Sequence, residues 1–323
     1  MNFQKSLLSA VLALVLGGVL TMVVSSGTVL SLLTQAIIYA VFALGVGVLL
    51  KQNGMVSFGH ALFFGGASYL VGIVLQLQLM SAELAILAAL AVVTLAAFLI
   101  GLVIVRVPGV AFGMLTLAIG QMFFLTASRA RGLTGGADGM NIDWPSRLFG
   151  FPLSQMLKTA SMFLICWSTL VVVMFLLAWL MRTRFGGITE AVRDNEERAR
   201  FIGITTLWPR AAVYALSALV TSVAGVLSAL NTGFVSPESL HWSLSGVALM
   251  MVVVGGFKAL WGPAAGAVVY FLFKDILGEH ATHWMTIFGV ALITVIVFSP
   301  TGVAGLFDRW VLGKKPSVKV GGH

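Results

Sequence analysis

Groups able to do chemistry are few in this chain, and their placement limits what they can do. Eleven Asp and Glu, five His and a single cysteine are spread over 323 residues. Nucleophilic catalysis or metal binding needs such groups to converge. Cys166 stands alone in an apolar run with no Cys-x-x-Cys, and His241, His280 and His283 form no His-Glu-x-x-His pair. No catalytic residue and no metal site is expected. Ion-coupled transport is the second possibility, and it asks for carboxylates inside the membrane. Glu83, Asp138, Asp143, Glu238, Asp275 and Glu279 instead fall in loops or near the ends of apolar runs. His60 is an ionisable ring within an apolar stretch, nine residues after Lys51. With no second titratable group beside it, it reads as a hydrogen-bonded structural residue rather than a proton relay.

The densest cluster of charge is Ile188 to Ile202, ITEAVRDNEERARFI, bounded by Gly186-Gly187 and Gly203. Its spacing predicts one short helix, with Glu190 facing Arg193, Asp194 facing Arg198 and Glu196 facing Arg200. Ile188, Val192, Ala199 and Ile202 trace a mostly apolar stripe. Such a helix is either a solvated connector or a surface that another protein grips.

The elements that position these groups follow from composition. With 59% hydrophobic and 9% charged residues, the chain lies far from the roughly 45–50% apolar and ~25% charged usual for soluble domains, which excludes a water-soluble globule. Apolar runs at 6–25, 28–50, 55–77, 82–105, 109–127, 159–180, 210–232, 243–257, 261–278 and 284–300 predict an all-α, polytopic membrane bundle of about ten transmembrane helices. The eighth and ninth runs are short, so eight crossings with re-entrant segments is the alternative. The first run is too long for a typical signal-peptide core, although Ser25, Ser26 and Gly27 could be taken for a cleavage region; a retained helix is expected.

Ten crossings with a cytoplasmic N-terminus place fourteen Lys and Arg inside and only Arg129, Arg131, Arg147 and Lys158 outside, with Lys274 unassigned. That asymmetry fixes the expected orientation and puts the C-terminus inside as well. The net charge of +8 is therefore loop charge that orients a membrane protein. The basic residues are scattered, and no nucleic-acid partner is expected. Residues 1–305 form a single transmembrane domain, with a cytoplasmic loop at 181–210 and an external loop at 128–158, followed by a basic cytoplasmic tail at 306–323. No Gly-x-x-x-x-Gly-Lys-[Ser/Thr] phosphate loop exists, so the chain has no ATPase motif of its own.

Small residues interrupt two apolar runs: Gly54, Ser57 and Gly59 beside Phe58 and His60, and Gly255, Gly256, Gly262 and Pro263 in the other half. Either helices approach closely there, or discontinuous helices line a translocation path. The external loop, rich in Gly, carries exposed charge at Arg129, Arg131, Asp138 and Asp143.

Glu197-Arg198-Ala199-Arg200-Phe201-Ile202-Gly203 resembles the Glu-Ala-Ala-x-x-x-Gly element by which permeases of bacterial ABC importers seat on their ATPases, with Arg198 in place of the first Ala. Five further segments, 54–65, 133–139, 233–238, 253–256 and 262–266, resemble in order the signature segments of the LivM-like permeases of branched-chain amino-acid ABC importers. The resemblance spans roughly residues 30 to 305. It implies a subunit without catalysis of its own. Two ATPase subunits carrying ATP and Mg would clamp the 181–210 loop through Glu190, Arg193, Asp194, Glu196, Glu197, Ala199 and Gly203. It also implies a second permease subunit, LivH-like, and a periplasmic binding protein docking at Arg129, Arg131, Asp138 and Asp143, all at a bacterial inner membrane. Permeases for urea, short amides and aromatic acids look similar in the same segments, so the cargo stays open. An ion-coupled secondary transporter is the alternative of a different class.

Overall fold

The computed structural model describes residues 3–24, 26–107, 109–278, 284–298 and 302–305. Each of the ten apolar runs carries a helix. In chain order these are α1 (Phe3–Val23), α2 (Gly27–Asn53), α3 (His60–Gln76), α4 (Ala82–Ile104) and α5 (Val110–Arg129). A short α6 (Arg131–Thr134), strands β1 (Met140–Asn141), β2 (Arg147–Leu148) and β3 (Phe151–Pro152) and a short α7 (Leu153–Met156) follow. Then come α8 (Thr159–Leu180), α9 (Arg184–Asp194), α10 (Glu196–Phe201), α11 (Leu207–Thr232), β4 (Phe234–Val235), α12 (Trp242–Gly255), α13 (Gly262–Gly278) and α14 (Trp284–Phe298). Ser25, Glu279, His280, His283 and the 306–323 tail lie outside the described residues.

Among the described residues five helices, α2, α4, α5, α8 and α11, are long and apolar enough to cross a membrane. Their burial sorts them. The most apolar windows of α2 and α11 are each 78% buried, against 22% for α4 and 28% for α5 and α8, so α2 and α11 form the centre and the others wrap it. A helix hydrophobic all round is one that is surrounded.

Close approach of the central pair depends on missing side chains. A Cβ on Gly45 of α2 would lie 2.4 Å from the Thr221 Oγ1 of α11, and one on Gly225 of α11 would lie 2.0 Å from the Phe64 carbonyl of α3. With little apolar driving force between helices in lipid, such backbone proximity supplies the van der Waals contact that holds them. Aromatic rings fill the rest: Tyr39, Phe42 and Phe64 meet with centroids 5.1–6.4 Å apart. At the periphery α1 leans on α8, where the Trp167 indole donates to the Ala13 carbonyl at 2.7 Å.

The expected run 55–77 is corrected. The α2 helix ends at Gly54, whose left-handed φ of +66° caps it, and the chain stays non-helical to Gly59 before α3 begins at His60. Hydropathy does not register this break, because Met55, Val56 and Phe58 are as apolar as a helix would need. The single helix expected at 188–202 is corrected too. Helix α9 runs through Gly186 and Gly187, ends at Asp194, and α10 starts after an extended Asn195 with φ −159° and ψ 103°.

The 128–158 segment is folded rather than free. Strand β1 pairs antiparallel with β4, placing Met140 opposite Val235, and the Thr134 hydroxyl donates to the Ala127 carbonyl at 2.6 Å. Strands β2 and β3 make a separate hairpin whose turn is Phe149-Gly150, with φ of +51° and +82°.

Candidate functional site

The segment between α8 and α11 folds across the adjacent ends of the two central helices. Asn195 is its pivot: its side-chain oxygen accepts from the Arg198 N–H at 2.9 Å, capping α10. Glu196 and Glu197 fill the first turn of α10 and Arg198 and Arg200 the last, a distribution that complements the helix dipole. Gly203, with φ +83°, stops the helix, and the Ile204 N–H returns to the Ala199 carbonyl at 3.0 Å.

The underside of α9 is fastened to α2. The Thr189 hydroxyl donates to Gln52 Oε1 at 2.7 Å, and the Arg193 guanidinium donates to the Lys51 carbonyl. Arg193 also pairs with its neighbour Asp194 at 2.6 Å, rather than with Glu190. The expected Glu190–Arg193 pair is lost because the guanidinium turns to an unsatisfied carbonyl in the last turn of α2.

Glu196 fastens α10 to α11. Its Oε2 accepts from Arg210 at 2.6 Å, while its Oε1 accepts from Arg200 at 2.6 Å and from the Thr206 hydroxyl at 2.9 Å. Arg210 lies in the first turns of α11, and its carbonyl accepts from Asn53 Nδ2 of α2 at 3.0 Å. One chain of hydrogen bonds therefore joins α2, α11 and α10. Partial burial pushes the Glu196 carboxyl up, but the Thr206 hydroxyl and the Arg210 and Arg200 guanidinium groups outweigh it and hold the carboxyl below the usual range.

The seven charged and small residues singled out here divide into two sets. Arg193, Glu196 and the buried Ala199 face the bundle; Asp194, Glu197 and Gly203 face outward, with Glu190 between. Of the predicted ion pairs, Glu196–Arg200 is present, while Asp194 pairs with Arg193 instead of Arg198. The apolar stripe does not form one face: Val192 and Ala199 are buried, whereas Ile202 is 74% exposed and its neighbour Phe201 90% exposed. Sequence reasoning missed Gln52, Asn53, Thr189, Thr206 and Arg210 as partners. Arg210 carried the only available signal, a cation at the start of an apolar run.

At the break between α2 and α3 three freed backbone donors find side-chain acceptors. The Phe58 N–H donates to Thr116 Oγ1 of α5 at 3.1 Å, Gly59 N–H to Ser57 Oγ at 3.2 Å, and Ala61 N–H to Ser245 Oγ of α12 at 2.8 Å. Irregular backbone at membrane depth is tolerated under that condition. His60 is fully buried, with Nε2 2.9 Å from the Ser217 Oγ, and Ser217 gives its own proton to the Tyr214 carbonyl at 2.9 Å. The ring therefore donates from Nε2, a tautomer assigned from the hydrogen-bond pattern.

The second break is a turn in which backbone meets backbone. A Cβ on Gly255 would lie 1.9 Å from the Gly262 carbonyl, one on Gly262 would lie 1.9 Å from the Gly256 carbonyl, and Pro263 packs on Gly47 of α2. Ser245 touches the first break and Gly255 forms part of the second, so the two are separated along α12 by about 15 Å, at 1.5 Å per residue. They do not form one site. Arg129, Arg131, Asp138 and Asp143 are all exposed on the 128–158 segment. Among the described residues, no group of three or more His, Cys, Asp or Glu could hold a metal.

The sequence profile of the family described as branched-chain amino acid transport system / permease component matches residues 28–298. The high-affinity branched-chain amino acid transport system permease protein LivM of Escherichia coli K12 is 24% identical over 319 residues, covering 93% of this chain and 75% of that protein. The LivM protein of Salmonella typhimurium is 23% identical over the same shares of both chains. The autoinducer 2 import system permease protein LsrC of Salmonella paratyphi B is 30% identical over 296 residues, 86% of this chain and 77% of that protein. No solved structure matches.

Proposed function

The chain belongs to the branched-chain amino acid transport system permease family, and on that premise we propose that it carries branched-chain amino acids across the bacterial inner membrane as one permease of an ATP-driven importer. As a family member it is a multi-pass membrane transport component. ATP, with Mg, is hydrolysed by two separate ATPase subunits, a second permease completes the passage, and a periplasmic binding protein delivers the cargo to the face carrying Arg129, Arg131, Asp138 and Asp143. Charge complementarity at that face serves encounter rate and register more than affinity.

The observation that supports this reading best is the double fastening of the 181–210 segment. Its outward side, Glu197, Phe201 and Ile202, is free to be gripped, while its inward side is bolted through Glu196 to Arg210 and through Arg193 to Lys51. A displacement of α10 by the ATPases is thereby passed to α11, and one of α9 to α2, the two helices at the centre of the bundle. The 54–60 break gives α2 and α3 a joint about which to reorient, and the Gly255–Pro263 turn keeps α12 and α13 together. Bistable packing of this kind converts a small shift at one surface into alternating access.

Leucine uptake by the complex reconstituted with its ATPases and binding protein tests the proposal. Glu197→Lys reverses charge on the outward face without touching the bolts, so thermal unfolding should match wild type while binding-protein-stimulated ATP hydrolysis no longer drives uptake. Wild-type uptake by Glu197→Lys would overturn the assignment of the gripped surface. The likeness to LsrC proteins, permeases of autoinducer 2 import systems, favours a second cargo reading. Competition of labelled leucine by unlabelled autoinducer 2 decides between the two.

A further inference from the structure

Helices α4 and α8 both flank α11 but leave a gap between them on the side of the 128–158 segment. This gap has a cavity of about 560 Å³. Val223 and Leu227 of α11 form its floor, Ile86 and Leu90 of α4 one wall, and Ile165 of α8 the other; the β2–β3 hairpin covers it with Phe149 and Phe151. The remaining side is open between two membrane-spanning helices. Their outward faces, with Leu84, Leu87 and Leu95 on α4 and Leu164, Val172 and Leu176 on α8, are the exposed apolar surface that hydrocarbon covers. The medium facing the gap is therefore the bilayer.

Three features narrow the occupant. No charged side chain lines the gap among the described residues; its polar side chains are Gln155 and Ser161 toward the hairpin and Thr169, whose hydroxyl is already given to the Ile165 carbonyl at 2.8 Å. A zwitterionic solute would leave its charges unpaired there, which excludes the cargo. The depth along α8 from Ser161 to Thr169 is about 12 Å at 1.5 Å per residue, close to one leaflet of a hydrocarbon core about 30 Å thick. Finally, Lys158 is the exposed N-cap of α8, its carbonyl accepting from the Met162 N–H at 2.9 Å, so a cation stands one turn before Ser161 at the hairpin end of the gap. The Glu83 carboxylate near the same end of α4 is tied to the hairpin by the Phe149 N–H at 2.9 Å.

We propose that the gap between α4 and α8 seats one acyl chain of a phospholipid whose phosphate meets Lys158. The hairpin is the lid of this seat. Phe149 holds a left-handed φ of +51°, uncommon for an aromatic residue, and its ring lines the cavity. The bound chain fills space that would otherwise separate α4 from α8, and so sets how α11 is braced. The inference rests on the membrane-spanning placement of α4, α8 and α11 and is independent of the cargo and of the ATPase partners.

Native mass spectrometry of the full chain released from nanodiscs of phosphatidylglycerol and phosphatidylcholine tests it. The wild type should retain one phospholipid, and Ser161→Trp, which fills the top of the gap, should retain none at unchanged monodispersity. Lys158→Gln, an exposed change that leaves the packing intact, should weaken retention of phosphatidylglycerol about fivefold. It decides the matter if Ser161→Trp fails to fold. Equal retention by wild type and Ser161→Trp, or by wild type and Lys158→Gln, overturns the proposal. So does unchanged lipid in Ser161→Trp with lost stimulation by the binding protein, which would make the gap a protein seat.

Discussion

Glu196 carries more of the proposed mechanism than any other single residue, because its carboxylate ties the gripped helix to Arg210 of α11, at the centre of the bundle. Its carboxylate is shared among Arg210, Arg200 and Thr206, and its side chain is 30% exposed, so the bolt is strong in geometry and moderate in energy. Glu196→Gln should loosen α10 by about 1 kcal/mol, after discounting for solvent screening, read as faster amide exchange across 196–206. The pH dependence has a definite sign. The folded carboxyl titrates below its ordinary value of about 4.3, so its contribution is whole above that pH and is lost as pH falls through the folded value. Protection of α10, corrected for intrinsic exchange, should stay level from pH 8 to 5 in the wild type and decline below about pH 4, while Glu196→Gln shows no such decline. A wild-type profile that declines already near pH 6 would assign the effect to another group. Arg193 shows why local pairing rules fail here. Glu190 stood at the right spacing on the same helix, but the Lys51 carbonyl, from a helix more than a hundred residues earlier in the chain, captured the guanidinium.

Among the elements, the packing of α11 against α2 and α3 decides whether the bundle forms. Gly225 and Gly66 make a discriminating pair. A Cβ on Gly225 would press into the Phe64 carbonyl at 2.0 Å, whereas one on Gly66 of α3 meets nothing within 4 Å. Gly225→Ala should destabilise by about 1–3 kcal/mol as α3 and α11 are forced apart. Gly66→Ala should be neutral or stabilising by up to about 1 kcal/mol, through helix propensity. Thermal unfolding of both variants in the same detergent checks the contrast, and equal effects would mean that helix spacing is not set by these contacts. Element ends were legible to within a few residues where hydropathy and helix coincide: the run expected at 82–105 is Ala82–Ile104, and that at 159–180 is Thr159–Leu180. Hydropathy missed the end at 54–59, where apolar side chains continue but the backbone leaves the helix for partners on α5 and α12; only the small residues Gly54, Ser57 and Gly59 marked the place.

For the whole molecule, orientation across the membrane decides which surface meets the ATPases. The excess of Lys and Arg predicts that the 181–210 segment is cytoplasmic and the 128–158 segment external. Cys166 is buried in α8, so a Cys166→Ser background permits single-cysteine labelling at exposed positions. Asp138→Cys should react with a membrane-impermeant maleimide in intact cells, and Glu197→Cys only after the membrane is opened; the reverse pattern would remove the gripped surface from the reach of any cytoplasmic ATPase. Sequence alone determined the class of molecule, the places of its helices and the segment that stands out from them, because hydropathy, charge bias and turn residues are properties of local stretches of chain. It also carried the ordered segments by which the family was discerned. Only the tertiary structure decided that α2 and α11 are central, that Asn195 divides the charged segment into two helices, and that Glu196 and Arg193 point inward while Phe201 and Ile202 point out. Those outcomes turn on which distant carbonyls and guanidinium groups come within hydrogen-bonding reach, a competition among partners that linear spacing cannot rank.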